Sequence, residues 1–497
     1  MFTSLHRPVA LRLGHFLLRP AALALLLSAL AAALLLPALA RAQEPASVAQ
    51  LLPRIDSLFS EWESTHTPGC ALGVVQEGEL VLSRGYGMGN LDHGIPLSGE
   101  SVFYLASVSK QFTAAAVTLA SLEGHFSLED PVRLHFPELP DYGSVIRVGH
   151  LLHHTSGLRD YLTLMSLARM PLENVYTDGE ILELIFRQEE LNFAPGEEFL
   201  YSNTNYVLLA ELIHRTTGMT LAEYARDRIF GPLGMTSTHF HDDATVIVPG
   251  RVFSYAWTPT GGYRTDYLMN FDKVGDGGLY SSVEDLYRWD QNFYHKRVGG
   301  EALHALLHTR GVLNSGDTIA YALGLGLGEH RGLATVSHGG GLMNFRTNIL
   351  RFPEEAFTVI ALCNTGRANP SRISTQVAEL FLGDRMEPEE ERGPGEALRP
   401  APEQRPTPPT PTEAQLRAYA GSFYSPELDV TYELTVVDGV LAAATGPGGS
   451  VILRPAQENS FRLQGATLRF QRDVDGVVQG FRLDAGRVRN LRFQRVR

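Results

Sequence analysis

Lysine is nearly absent from this chain: of 42 basic residues only Lys110, Lys273 and Lys296 are lysines. The rest are arginines, which no protein environment deprotonates, so a position that must trade a proton cannot be filled by them. Cysteine is as scarce. Cys70 and Cys363 are the only two, too few for a disulfide scaffold, and each lies in an apolar strand-like run where one bridge and two buried thiols are both open. No basic tract occurs, and acidic residues outnumber basic ones 55 to 42, which argues against a nucleic-acid partner. No Gly-x-Ser-x-Gly elbow is present, which disfavours an α/β-hydrolase. His150, His153 and His154 have no carboxylate or cysteine nearby to complete a ligand set, so no metal is expected there. Gly324-x-Gly326-x-Gly328 lacks the strand-to-helix setting of a dinucleotide loop and reads as strand.

What is present is a globular composition, 44% hydrophobic and 20% charged, spread over 497 residues, long enough for two or three domains. Arg7, Arg12 and Arg19 precede an apolar run from Ala21 to Leu36, and Ala40-Arg41-Ala42 offers a signal-peptidase site. Residues 1–42 therefore read as a signal peptide, with an uncleaved anchor as the alternative, and the mature chain as periplasmic or secreted. After cleavage no further stretch is long and apolar enough to span a bilayer.

Along the mature chain, apolar residues from Val48 to Trp62 recur at helical spacing. Ala71–Val75, a Glu77-Gly78 turn and Leu80–Leu82 predict a hairpin. A helical middle runs from about Ser107 to His295, and strand-like runs return over Tyr321–Leu327, Ala334–Ser337, Thr347–Phe352 and Phe357–Leu362, before a helix over Ser371–Leu382. Strands at both ends around a helical middle imply one antiparallel sheet built from distant segments, with helices on its faces. Residues 385–412 are crowded with Pro, Glu and Gly and read as a linker between a domain at 43–384 and one at 413–497. In the last segment seven short alternating runs separated by turns such as Asp438-Gly439 point to a small β-barrel or sandwich.

The sharpest local signal is Ser107-Val108-Ser109-Lys110. Positions three apart on a helix share a face, so the amine of Lys110 can reach the hydroxyl of Ser107, as an activated serine nucleophile requires. With so few lysines the pairing is hard to ascribe to chance. The segment from Tyr104 to Thr113 resembles the nucleophile motif of the class C β-lactamase and penicillin-binding-protein-like serine hydrolases. In the same order, His150–Leu158, Tyr201-Ser202-Asn203, Gly277–Leu286 and His338-Gly339-Gly340 resemble further blocks of that family.

The resemblance implies an α/β (α+β) fold of the β-lactamase/transpeptidase kind, an antiparallel sheet flanked by helices with an all-helical insertion, followed here by a small lipocalin-like barrel. It implies Ser107 as nucleophile, with Lys110 and Tyr201 moving protons: the three functional atoms should converge within hydrogen-bonding reach. Asn203 would bind Lys110 and the substrate amide, and a helix-capping role, the plainer reading, could coexist with that. Tyr201 precedes a helix expected to begin near Asn205. His338, Gly339, Gly340 and Gly341 would form a strand against which the substrate lies, and the N–H groups of Ser107 and Gly341 the oxyanion hole. The family often has lysine where His338 stands. Histidine is mostly neutral at pH 7, so a fixed charge for a substrate carboxylate is weaker, which leans from β-lactam hydrolysis toward esterase, D-aminopeptidase or D-Ala-D-Ala carboxypeptidase-like activity. The partner is then a small-molecule or short-peptide substrate, with no metal or organic cofactor. A penicillin-recognising sensor or non-catalytic binding protein is the other reading. The barrel could cap the active site or mediate oligomerisation.

Overall fold

The computed structural model describes residues 47–266, 272–388, 410–446 and 449–496. The signal peptide expected over 1–42 and most of the expected linker lie outside the described residues. The chain divides into two compact units, Met1–Leu51, of which residues 47–51 are described, and Leu52–Arg497, to which everything below belongs except the start of the first helix, residues 48–51.

The second unit is organised by a six-stranded antiparallel sheet made of β1 (Cys70–Gln76), β2 (Glu79–Tyr86), β3 (Gly326–His330), β4 (Leu333–Leu342), β5 (Phe345–Phe352) and β6 (Phe357–Cys363). Its order, β3-β4-β5-β6-β1-β2, brings the two ends of the segment together at its centre. β6 is buried at all seven positions and β1 at six of seven, which is why both read as unbroken apolar runs rather than alternating ones. Cys70 and Cys363 face each other in the β1–β6 register and are bonded as a disulfide, which settles the alternative left open by sequence. The β1–β2 hairpin turns at Glu77-Gly78, with φ of 52° and 85°, as its turn chemistry predicts.

The main helices are α1 (Val48–Leu58), α2 (Lys110–Leu122), α3 (Tyr161–Leu167), α4 (Asp178–Phe186), α5 (Asn203–Thr217), α6 (Val283–His295) and α7 (Pro370–Leu382). Side chains of β5 show how they are layered. Arg351 bonds Asp290 of α6 at 2.7 Å and Thr347 bonds the carbonyl of Leu105 at 2.8 Å, whereas Asn348 accepts from Ser371 of α7 at 3.4 Å. Odd and even strand positions point to opposite faces, so α6 and the segment leading into α2 cover one face and α7 the other. α2 is buried along nearly its whole length and packs against α5, which makes it the hub of the helical layer.

Three boundaries differ from the sequence reading. Tyr321–Leu327 is strand only from Gly326: Gly324 has φ +71° and passes so close to α2 that an added Cβ would lie 2.6 Å from the carbonyl of Lys110, so the chain must turn there. α5 starts at Asn203 rather than near Asn205, with Ser202 in the capping position, so the capping reading of Asn203 fails. The C-terminal sheet has nine strands, not seven: β7 (Gly421–Ser425), β8 (Val430–Val437), β9 (Val440–Gly446), β10 (Gly449–Ile452), β11 (Arg454–Gln457), β12 (Ser460–Leu463), β13 (Ala466–Arg472), β14 (Val478–Ala485) and β15 (Val488–Arg495). They form a nearly closed antiparallel barrel with β10 and β11 at its margins. β11 went unread because it carries Pro455, which an edge strand tolerates and a central one does not.

Candidate active site

Ser107 does not lie on the α-helix itself but in a tight 3₁₀ turn, Ala106–Ser109, that feeds into α2. Ala106 enters that turn at φ +49°, a conformation costly for a side-chain-bearing residue and characteristic of sites where backbone is held by its surroundings. The turn is pinned on both sides. Ser109 Oγ donates to the carbonyl of Ala106 at 2.6 Å and accepts from the N–H of Leu279 at 3.2 Å. In a 3₁₀ turn residues i and i+3 eclipse, so Lys110 stands directly by Ser107 and its Nζ donates to Ser107 Oγ at 3.3 Å.

Lys110 is fully buried, and its other N–H groups go to Asn203 Oδ1 at 2.8 Å and the carbonyl of Asp276 at 2.6 Å. Asn203 is oriented in turn by Asp160, whose Oδ2 accepts from the backbone N–H of Asn203 at 2.7 Å and from its Nδ2 at 2.8 Å. Asp160 is itself fixed as the N-cap of α3. This buried relay, Asp160 to Asn203 to Lys110 to Ser107, sets which way the amide points: oxygen to lysine, nitrogen to carboxylate.

Tyr201 presents its ring to the ammonium, with Lys110 Nζ 4.8 Å from the ring centroid, and stacks against His154 at 4.2 Å. Its hydroxyl is buried and has no partner among the described residues. The expected three-way convergence is thus met by Ser107 and Lys110, while the phenol oxygen bonds neither. The reason lies in donor count: an ammonium has three N–H groups, and Ser107, Asn203 and Asp276 take all three. A buried hydroxyl without a protein partner is costly, and this one belongs to a residue that lines the cleft.

The glycine segment lies on β4, which pairs with β3 only over Leu333–Ser337, leaving His338–Leu342 with one free edge toward Ser107. Gly340 is pressed against the nucleophile turn: a Cβ there would sit 2.2 Å from the carbonyl of Leu105, 2.3 Å from Thr347 Oγ1 and 3.2 Å from the nitrogen of Ser107. His338 Nδ1 donates to the carbonyl of Gly339 at 2.7 Å, so its Nε2 accepts from Tyr321 Oη at 3.0 Å. Burial, and then the charge of Lys110, push its pKa down to about 4, so this imidazole is neutral at physiological pH. His154, behind Tyr201, is driven well below the usual imidazole range by the same two causes.

Ser107, Tyr201, Asn203, His338, Gly339, Gly340 and Gly341 all line one cleft of about 730 Å³, with Lys110 beneath its floor. Sequence reasoning missed Asp160 and Asp276, although each lies within two residues of a recognised block, because their roles are to hold other site groups. It also missed Arg487, which lines the cleft from the C-terminal barrel.

Comparison with known proteins finds relatives for most of this chain. Residues 55–383 match the Beta-lactamase family model. The chain is 29% identical over 324 residues to a D-aminopeptidase of Gluconobacter oxydans (strain 621H), covering 65% of this chain and 60% of that protein. It is 31% identical over 326 residues to penicillin-binding protein 4* of Bacillus subtilis (strain 168), covering 62% of this chain and 71% of that one. The chain thus spans about 60% of the length of the D-aminopeptidase it matches. Among solved structures, the octameric penicillin-binding protein homologue from Pyrococcus abyssi superposes with a TM-score of 0.60 at 22% identity, over 89% of this chain and 99% of that one. The D-amino acid amidase from Ochrobactrum anthropi SV3 complexed with D-phenylalanine gives 0.57 at 23% identity, over 67% and 99%. With the family model spanning the sheet, the helical layer and the cleft between them, this chain belongs to the Beta-lactamase family.

Proposed function

We propose that the protein is an extracytoplasmic serine hydrolase that cleaves an amide or ester bond through an acyl-enzyme on Ser107, in the manner of a D-aminopeptidase, D-amino acid amidase or esterase. In this reading residues 43–384 carry the chemistry and residues 413–497 form a separate barrel domain. The observation that carries it is the buried Lys110, whose Nζ reaches Ser107 Oγ at 3.3 Å and Asn203 Oδ1 at 2.8 Å at the floor of the cleft. Ser107 Oγ attacks the carbonyl carbon while its proton passes to the oxygen of Tyr201, the base of the Lys110–Tyr201 pair. The N–H groups of Ser107 and Gly341 hold the oxyanion, and the pair returns the proton to the departing amine or alcohol. Water then attacks the acyl-ester carbon, Tyr201 accepts its proton, and the acid is released as Ser107 regains its hydrogen. Support comes from the named activities of the relatives.

The test is labelling of the mature chain with a fluorophosphonate or penicillin probe. The native chain should be labelled at Ser107 and Ser107→Ala should not; labelling that persists in the variant removes the nucleophile from this position. A chain that acylates once and releases no product in single-turnover kinetics would be a penicillin-recognising sensor instead.

A further inference from the structure

The cleft carries positive charge in a protein whose net charge is −13. Its wall includes Arg346, Arg367 and Arg487. Arg346 commits Nη1 to the carbonyls of Met343 and Phe345, at 2.9 and 2.7 Å, and Arg367 pairs with Glu61 at 2.7 Å. Arg487 differs from both. Its guanidinium carbon lies 4.7 Å from the centroid of the Tyr201 ring and its Nη1 forms a long ion pair with the buried Asp160 Oδ2 at 3.7 Å, while its side chain donates no hydrogen bond to a described residue. Its side chain keeps 43% of its exposure.

Arg487 is brought there by the barrel. It sits with Gly486, φ +53°, in the two-residue turn between β14 and β15, the tightest kind of hairpin tip. The tip is clamped by Asn192, which donates through Nδ2 to the carbonyl of Arg487 at 3.0 Å and accepts from the N–H of Arg489 at 2.7 Å. Around the clamp Arg482 bonds Glu190 at 2.8 Å, Arg489 bonds Glu198 at 3.0 Å and Arg492 bonds Glu189 at 2.7 Å. The backbone of the tip is therefore held in place before substrate arrives, and the guanidinium rests between the Tyr201 ring and Asp160.

We infer that Arg487 is a specificity-determining residue that pairs with a carboxylate on the substrate, so that the site takes anionic acyl compounds in preference to neutral ones. The neutral His338 supplies no such charge from the β4 side, and Lys110 is spent on buried acceptors. A half-exposed arginine that rests on Tyr201 and keeps its donors free of hydrogen bonds to described residues can still meet the substrate, and its fork of donors suits a carboxylate.

This inference rests on the serine-hydrolase reading, and the experiment separates the two. The mature full-length chain is assayed with 4-nitrophenyl succinate monoester and 4-nitrophenyl butyrate, which differ chiefly by the carboxylate, and Ser107 acylation by each is followed by mass spectrometry. The native chain should favour the succinate ester in kcat/KM by about tenfold or more. Arg487→Ala should bring the ratio near one and Arg487→Lys should recover part of it. Added salt should lower the ratio in the native chain, a readout that holds even if a variant fails to fold. A native ratio at or below one, a ratio unchanged in Arg487→Ala, or a salt-independent preference overturns the inference while leaving the acyl-enzyme intact. Absence of Ser107 acylation by either ester overturns both.

Discussion

At the scale of single residues, the site is a study in which groups are allowed charge. Lys110 satisfies its three N–H groups on buried acceptors, and His338 and His154 are kept neutral beside it by burial and by its charge. That neutrality has a thermodynamic signature. An unfolded chain protonates His338 near 6.5, the folded one only near 4, so between those values the unfolded state binds more protons. The stability this group contributes is complete above about pH 6.5 and is lost as pH falls toward 4. Calorimetric Tm should therefore decline through this window in the native protein and decline less steeply in His338→Gln. Equal slopes in the two would mean the imidazole is not held neutral. Lys110 was legible from sequence through its spacing from Ser107 and its rarity, whereas Asp160 was not: no spacing rule links a carboxylate to an amide 43 positions away.

At the scale of elements, β4 and the nucleophile turn behave as one unit. The sequence shows three consecutive glycines without saying which of them is sterically required. The structure separates them. An added Cβ on Gly340 meets backbone and the Thr347 hydroxyl at 2.2–2.3 Å, while on Gly339 the nearest atom is 3.6 Å away. Gly340→Ala should cost about 1–3 kcal/mol through forced backbone movement and displace the strand from Ser107. Gly339→Ala should cost far less, and chemical denaturation of the pair checks it. Comparable losses would show that the close approach at Gly340 is relieved by movement elsewhere. Strand positions were readable wherever burial wrote a continuous or alternating pattern. They were misread at Tyr321–Leu325, where contact with α2 overrides that pattern.

At the scale of the whole molecule, the barrel is joined to the helical layer by charge. Arg159 and Glu427, both essentially inaccessible, form a hydrogen-bonded ion pair, and Gln188 reaches both, through Oε1 to Arg159 Nη1 at 3.2 Å and through Nε2 to the carbonyl of Glu427 at 3.0 Å. Removing one member of a buried pair strands the other's charge, so Glu427→Gln should destabilise the chain by about 3–5 kcal/mol in denaturant unfolding. A change well under that range would mean solvent or Glu190, 3.9 Å from Arg159, takes over.

The sequence by itself determined the layer architecture, the Ser107–Lys110 motif, the glycine segment and the existence of a terminal β-structure, because hydrophobic period, turn residues and an ordered set of motifs are local quantities. Only the tertiary structure decided that Cys70 meets Cys363, that Asp160 aims Asn203 and that Arg487 enters the cleft. Each of those depends on where two distant stretches of chain come to rest, and that is fixed by the packing of the whole rather than by any pattern within a stretch.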